Sequence, residues 1–138
     1  MTMEKIAVIE DDASVQRALA IRLTSHGYRV VTAQDVASAI AVIRAENPAL
    51  LLVDVCIPGG DGFQVVERVR RMPKMAKIPV LFITASAMPG LRERAASLSA
   101  GFLEKPFESS VLIAAVRAAL DFANPQPVFR EFAQHTQL

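Results

Sequence analysis

Five short apolar runs alternating with five amphipathic helical patterns predict an α/β fold, a five-stranded parallel sheet of order 2-1-3-4-5 covered by helices on both faces. The third run carries most of this reading. Leu50-Leu51-Leu52-Val53 is apolar without alternation, as in a strand buried on both faces, and it ends on Asp54. Pro58, Gly59, Gly60 and Gly62 come so soon after it that the chain must turn just beyond the acid. A carboxylate then stands at the carboxyl edge of a sheet, where open α/β folds bind their ligands. The plain structural alternative is an Asx-turn that only closes the loop. The second observation is that the same arrangement recurs, because other apolar runs also end on polar or charged residues.

Ile6-Ala7-Val8-Ile9 is the first strand, and it runs into Glu10-Asp11-Asp12, one of which should cap the next helix. That helix carries Val15, Leu19 and Leu23 on its inner face and Gln16, Arg17 and Arg22 on its polar face; His26-Gly27 stops it. A second strand is predicted near residues 28–32. Asp35 then caps a helix with Val36, Ala39, Ile40 and Ile43 along one stripe, which Asn47-Pro48 ends. After the central strand, Phe63, Val66 and Val69 mark a third helix that stops before Pro73, and residues 74–77 form a loop.

Pro79-Val80-Leu81-Phe82-Ile83 is the fourth strand, with Thr84 placed as Asp54 is after the third. The fourth helix has a thin apolar face of Leu91, Ala95 and Leu98, with Pro89 expected in its first turn. Gly101-Phe102-Leu103-Glu104 is the fifth strand and leads into Lys105-Pro106. A last helix begins near residues 108–110 and turns Leu112, Ala115, Val116 and Ala119 to the core. Asn124-Pro125-Gln126-Pro127 ends the domain, so residues 1–123 are read as the domain and 124–138 as a proline-containing tail. Val128, Phe129, Phe132 and Ala133 give that tail a short apolar face, suited to docking on its own domain or on a partner, if it is not a frayed terminus.

A chain of 138 residues accommodates one domain with a sizeable core, and 52% hydrophobic against 21% charged residues excludes a disordered one. A net charge of +1 gives no electrostatic case for nucleic acid or an anionic membrane. The single cysteine, Cys56, rules out an internal disulfide and fits a reducing cytosol. The apolar run at residues 6–9 is too short for a signal-peptide core, and none approaches membrane-spanning length. The expectation is a soluble cytoplasmic protein.

The strand order makes the first and third strands neighbours, with the fourth and fifth beside them, so Glu10, Asp11, Asp54, Thr84 and Lys105 converge on one edge. Clustered carboxylates resist ionisation unless a cation neutralises them. An all-oxygen site suits Mg²⁺, which typically takes one or two carboxylates plus phosphate oxygens. Lys105 supplies a second positive charge, Thr84 a hydroxyl donor, and Asp54 a nucleophile able to form an aspartyl phosphate. Singly, each residue has a plain structural use: a solvated lysine before proline, a strand-forming threonine, a capping acid. Their joint appearance at four strand ends is the argument for function.

From Lys5 to Phe122 the sequence resembles the response-regulator receiver domains of two-component signalling, CheY-like proteins with a flavodoxin-like (βα)5 three-layer sandwich. The resemblance rests on Ile9-Glu10-Asp11-Asp12, on Val53-Asp54 with Pro58 and Asp61-Gly62, on Ile83-Thr84-Ala85, and on Phe102-Leu103-Glu104-Lys105-Pro106-Phe107. It implies that Asp54 is the phosphoacceptor, and that Glu10, Asp11, Asp54 and the backbone carbonyl of Cys56 hold Mg²⁺, with Asp12 a cap. It implies also that Lys105 contacts the phosphoryl group, that Thr84 and Phe102 form the switch pair, and that the Lys-Pro bond is cis. The run Leu98-Ser99-Ala100-Gly101 departs from the Gly-Ala pair common before the fifth strand, and Cys56 is an unusual side chain two residues past the acceptor.

The implied function is a phosphoacceptor in a phosphorelay. It catalyses no more than its own phosphorylation and dephosphorylation, and so is not a classical enzyme. Its implied partners are a histidine kinase or phosphotransfer protein, and a downstream target or second copy at the surface of the fourth helix, fifth strand and fifth helix. Nothing after Phe122 is expected to fold as a DNA-binding or catalytic domain, so the output is contact, or the chain is a fragment. A degenerate receiver acting as an unphosphorylated protein-binding scaffold is the main alternative. A haloacid-dehalogenase-like phosphatase needs a second acid where Cys56 stands, and a flavin carrier's phosphate loop would be repelled by Glu10-Asp11-Asp12.

Overall fold

The computed structural model describes residues 3–85 and 88–123. Ten elements alternate along the chain: β1 (Lys5–Ile9), α1 (Ala13–Ser25), β2 (Arg29–Ala33), α2 (Val36–Glu46), β3 (Leu50–Asp54), α3 (Gly62–Arg70), β4 (Val80–Thr84), α4 (Leu91–Ser97), β5 (Gly101–Glu104) and α5 (Ser109–Ala123). All strand pairs are parallel and the order is β2-β1-β3-β4-β5, the flavodoxin-like arrangement expected of the sequence. The register sets Ile9 opposite Val53, Asp54 opposite Ile83, and Thr84 opposite Glu104. The strands therefore end close to one level, and the residues just beyond those ends gather there.

Side chains alternate across a strand, so each strand feeds two cores. Ala7, Ile9, Leu51, Val53, Val80 and Phe82 join residues of α2, α3 and α4 on one face. Ile6, Val8, Leu50, Leu52, Leu81 and Ile83 join Leu19 and Leu23 of α1 and Leu112, Ile113, Val116 and Leu120 of α5 on the other. Residues 50–53 are fully buried, which explains the unbroken apolar run of β3.

Local chemistry sets the helix ends. The Asp12 carboxylate accepts from the Ser14 and Val15 amides and caps α1. Asp35 and Asp61 form capping boxes with Ser38 and Gln64 at α2 and α3. Asn47 ends α2 in the left-handed region at φ 48°. Gly62 is required for a steric reason: a Cβ there would run into the Asp54 carbonyl, so only glycine lets α3 start against the end of β3.

Two expectations need correction and two gain detail. β2 lies one residue later than predicted, at Arg29–Ala33. Pro89 precedes α4 instead of joining its first turn, because Gly90, at φ 86°, is the N-cap. Gln16, on the polar face as expected, is half-buried there, and its amide donates to the Glu10 and Ala33 carbonyls and ties the ends of β1 and β2 together. In α5, Leu112, Ala115, Val116 and Ala119 face the core as expected, the two alanines only partly buried, and Ile113 and Leu120 are buried beside them. The apolar tail residues Val128, Phe129, Phe132 and Ala133 lie outside the described residues. Among those described, no helix is long and apolar enough to cross a membrane.

Candidate functional site

Each acid of the site is delivered by the end of a buried strand. Glu10 comes directly after β1, where its amide still bonds the Ala33 carbonyl (3.0 Å) and extends the ladder to β2. Asp54 closes β3, and Val55 continues the pairing to the Ile83 carbonyl (3.0 Å). Burial of the strands carries their ends inward, so Glu10 is 1% and Asp54 6% exposed, while Asp11 stays at the surface. Lys105 comes directly after β5, and its amide donates to the Thr84 carbonyl (2.8 Å). The Lys105-Pro106 bond is cis, as the resemblance implies.

Lys105 bridges the two buried acids, with Nζ 2.7 Å from Glu10 Oε1 and 2.7 Å from Asp54 Oδ2. The remaining oxygens are also held. Asp54 Oδ1 accepts from the Cys56 amide (2.8 Å), and Glu10 Oε2 accepts from the Asp12 amide (3.2 Å). The Oδ1 bond is the Asx-turn that the sequence allows, and the Lys105 bond to Oδ2 engages Asp54 beyond closing the loop. Oxygens of Glu10, Asp11 and Asp54 lie within 4.8 Å of one another, close enough to share one cation.

The electrostatics are those of a site short of positive charge. Burial pushes the Glu10 carboxyl up to about 7; Lys105 opposes the rise and the neighbouring Asp54 adds to it. Burial alone would lower Lys105, but its bonds to Asp54 and Glu10 outweigh this and hold it above the ordinary lysine value. One ammonium therefore does not neutralise three carboxylates. A hard divalent cation would, and the all-oxygen donor set fits Mg²⁺.

Thr84 is buried at the end of β4. Phe102 is half-buried and pairs with Phe82 in the β4–β5 register. Alternation puts Phe102 and Thr84 on the same face of the sheet, the one covered by α2, α3 and α4. The Arg92 guanidinium lies 5.1 Å above the centre of the Phe102 ring and bonds Glu104 at 3.2 Å. The predicted residues Glu10, Asp11, Asp54, Cys56, Thr84 and Lys105 thus meet at one edge, with Phe102 one step back from it. Gln16 and Arg92, which touch this edge, were not singled out in the sequence. A glutamine on the first turn of a helix carries no signal of its own, and Arg92 reads as an ordinary solvated helical residue.

Residues 6–117 match the family described as Response regulator receiver domain. The chain belongs to that family. The protein named "Probable transcriptional regulator ycf27" of Pyropia yezoensis is 37% identical over 120 residues, 85% of this chain and 47% of that one. The chain spans about half the length of the first curated relatives it matches. Among solved structures, Vibrio cholerae CheY4 superposes with a TM-score of 0.80 at 27% identity, covering 86% of this chain and 99% of that one. The BeF3-activated N-terminal receiver domain of Klebsiella pneumoniae RstA gives 0.77 at 28%, covering 84% and 97%. The acidic pocket of this receiver domain is the cluster of Glu10, Asp11 and Asp54. Receiver domains are signalling domains.

Proposed function

We propose that this receiver accepts a phosphoryl group on Asp54 from the phosphohistidine of a histidine kinase or phosphotransfer protein in the cytoplasm. The observation that carries the reading is the Asp54 carboxylate held between the Cys56 amide and the Lys105 ammonium, beside Glu10 and Asp11. One Asp54 oxygen attacks phosphorus; the new P–O bond forms as the P–N bond breaks, and the imidazole leaves with the electron pair. Lys105 neutralises negative charge on the transferring group, and the Thr84 hydroxyl donates a hydrogen bond to it. Glu10, Asp11, Asp54 and the Cys56 carbonyl would hold Mg²⁺, which supplies further charge neutralisation when bound. Asp12 is already engaged as the α1 cap and takes no part.

The aspartyl phosphate adds negative charge and acceptor oxygens beside Thr84. The Thr84 hydroxyl turns toward them, Phe102 moves into the vacated space, and the surface of α4, β5 and α5 changes for a downstream protein or a second copy. Intact mass after incubation with acetyl phosphate and Mg²⁺ tests the first step. One phosphoryl mass is expected, lost in Asp54→Asn and kept in Asp12→Asn. Thr84→Ala should still be phosphorylated but lose the change at α4 and β5. An unchanged mass with both acetyl phosphate and phosphoramidate in the presence of Mg²⁺ would overturn the reading in favour of a scaffold that is never phosphorylated.

A further inference from the structure

At the end of the sheet opposite the acids lies an open groove of about 900 Å³. Val80 and Leu81 at the start of β4 and Gly101 at the start of β5 line it, with the last turns of α5 on one side and residues 97–99 on the other. Its depth comes from small residues: Ala115, Ala118 and Ala119 on α5, and Gly101, where a Cβ would meet the Leu81 side chain. The wall is preformed. Arg70 reaches across with Nη1 2.6 Å from the Ile78 carbonyl and Nε 3.0 Å from that of Leu98, so little ordering remains to be done when something binds. Phe122 stands on the rim, 91% exposed, and an aromatic left in water in this way forgoes a large burial.

The sequence supplies an occupant at the same place. The described fold ends at Ala123, itself a lining residue, and Pro125-Gln126-Pro127 comes next but one. A spacer of this composition can span up to about 3.1 Å per residue, which allows Val128 a reach of roughly 15 Å from Ala123, itself on the groove wall. Val128, Phe129 and Phe132 then recur at the spacing of one helix face. Glu131, between the two phenylalanines, has exposed Lys77 available at the rim. A segment tethered so closely has an effective concentration on the order of millimolar, so weak contacts suffice where a free partner would need high affinity. We propose that residues 128–133 dock on their own domain in this groove, with Phe129 and Phe132 as anchors, covering Phe122 and bracing the α4–β5 connection. The proposal involves neither Asp54 nor a cation, so it is tested on the unphosphorylated 138-residue chain whatever becomes of the phosphoacceptor reading.

A disulfide trap provides the test. With Cys56→Ser to remove the native thiol, Ala118→Cys and Gln134→Cys should oxidise at low protein concentration to a monomeric cross-linked form. Adding Phe129→Asp and Phe132→Asp should cut that yield about tenfold. A control thiol on the exposed face of α1, Arg17→Cys with Gln134→Cys, should cross-link poorly. In the otherwise native chain, Phe129→Asp with Phe132→Asp should speed amide exchange at residues 98–101 and 118–122. Equal yields from the two thiol pairs, cross-linked dimers in place of monomers, or unaltered exchange would each overturn the proposal; dimers would assign the groove to a second copy.

Discussion

β3 and β5 are separated by a single strand, yet they are built on different terms. Every residue of β3 is buried, whereas the four residues of β5 are exposed at both ends and half-buried between. The helices that precede β4 and β5 differ in the same way. α3 has nine residues, a capping box and five buried positions; α4 has seven, a glycine N-cap without a side-chain bond, and Ala95 buried. What α4 lacks in burial is made up at the surface, where Arg92 covers Phe102 and Arg94 lies 4.2 Å above the Phe63 ring and 3.7 Å from Glu67. The acids of the site are anchored on the buried half, and the α4–β5 face is held by exposed contacts that a small free energy can rearrange. Thr84 and Phe102 sit on the border, one on each side of the β4–β5 seam.

Truncation gives the largest separation between the two regions. Leu52→Ala should cost about 2–5 kcal/mol, as a core leucine does, and Leu91→Ala on half-buried α4 about 1 kcal/mol. Denaturant titrations of the two variants check this, and equal losses would break the comparison. The next effect is on pH and belongs to the buried half. The folded carboxyl of Glu10, at about 7, lies above its ordinary value of 4.5, so the folded state keeps a proton that the unfolded chain has released. The contribution of Glu10 to stability is therefore fully present below 4.5 and is lost as pH rises toward 7, with a slope of up to about 1.4 kcal/mol per pH unit. Glu10→Gln should flatten that slope, as unfolding midpoints at a series of pH values will report. Asp61→Ala, which removes the cap of α3, should cost about 1 kcal/mol. A loss confined to local exchange within α3, with no change in the global midpoint, would show α3 to be as loosely coupled as α4.

The buried half was legible in the sequence and the exposed half less so. An unbroken apolar run leading into an acid and a glycine-rich turn has few structural meanings, and β3, Asp54 and the turn at residues 58–62 stand where that pattern puts them. Asp12 and Asp35 were readable as caps because a carboxylate before a helix has a local reason to be there, whereas the cap role of Asp61 was not drawn from the sequence. The α4–β5 region depends on contacts between residues ten or more apart, such as Arg92 with Phe102 and Glu104, which leave no periodic trace. Gln16 was missed for the same reason, since its partners are carbonyls at the ends of two other elements. The α5 stripe of Leu112, Ala115, Val116 and Ala119 was legible, but Ile113 and Leu120, which widen it, were not singled out.

The smallest effect is the most informative about the proposed switch. Arg92 makes an exposed ion pair with Glu104 and a cation–π contact with Phe102, each on the order of 0.5–1 kcal/mol at the surface. Arg92→Gln should therefore cost no more than about 1 kcal/mol of global stability. The guanidinium nevertheless rests on the ring that would have to turn inward, and its loss removes a contact present in this conformation and absent from the turned one. Amide exchange at residues 91–104 should accelerate in Arg92→Gln without phosphorylation, and β3 amides should not respond. Binding of a partner that prefers the phosphorylated receiver should rise a few-fold in the unphosphorylated variant, because removing about 1 kcal/mol from one of two states shifts their ratio by roughly fivefold. If exchange rises uniformly through β3 and β5, the two halves are one cooperative unit, and the switch cannot be a local rearrangement of the weaker one.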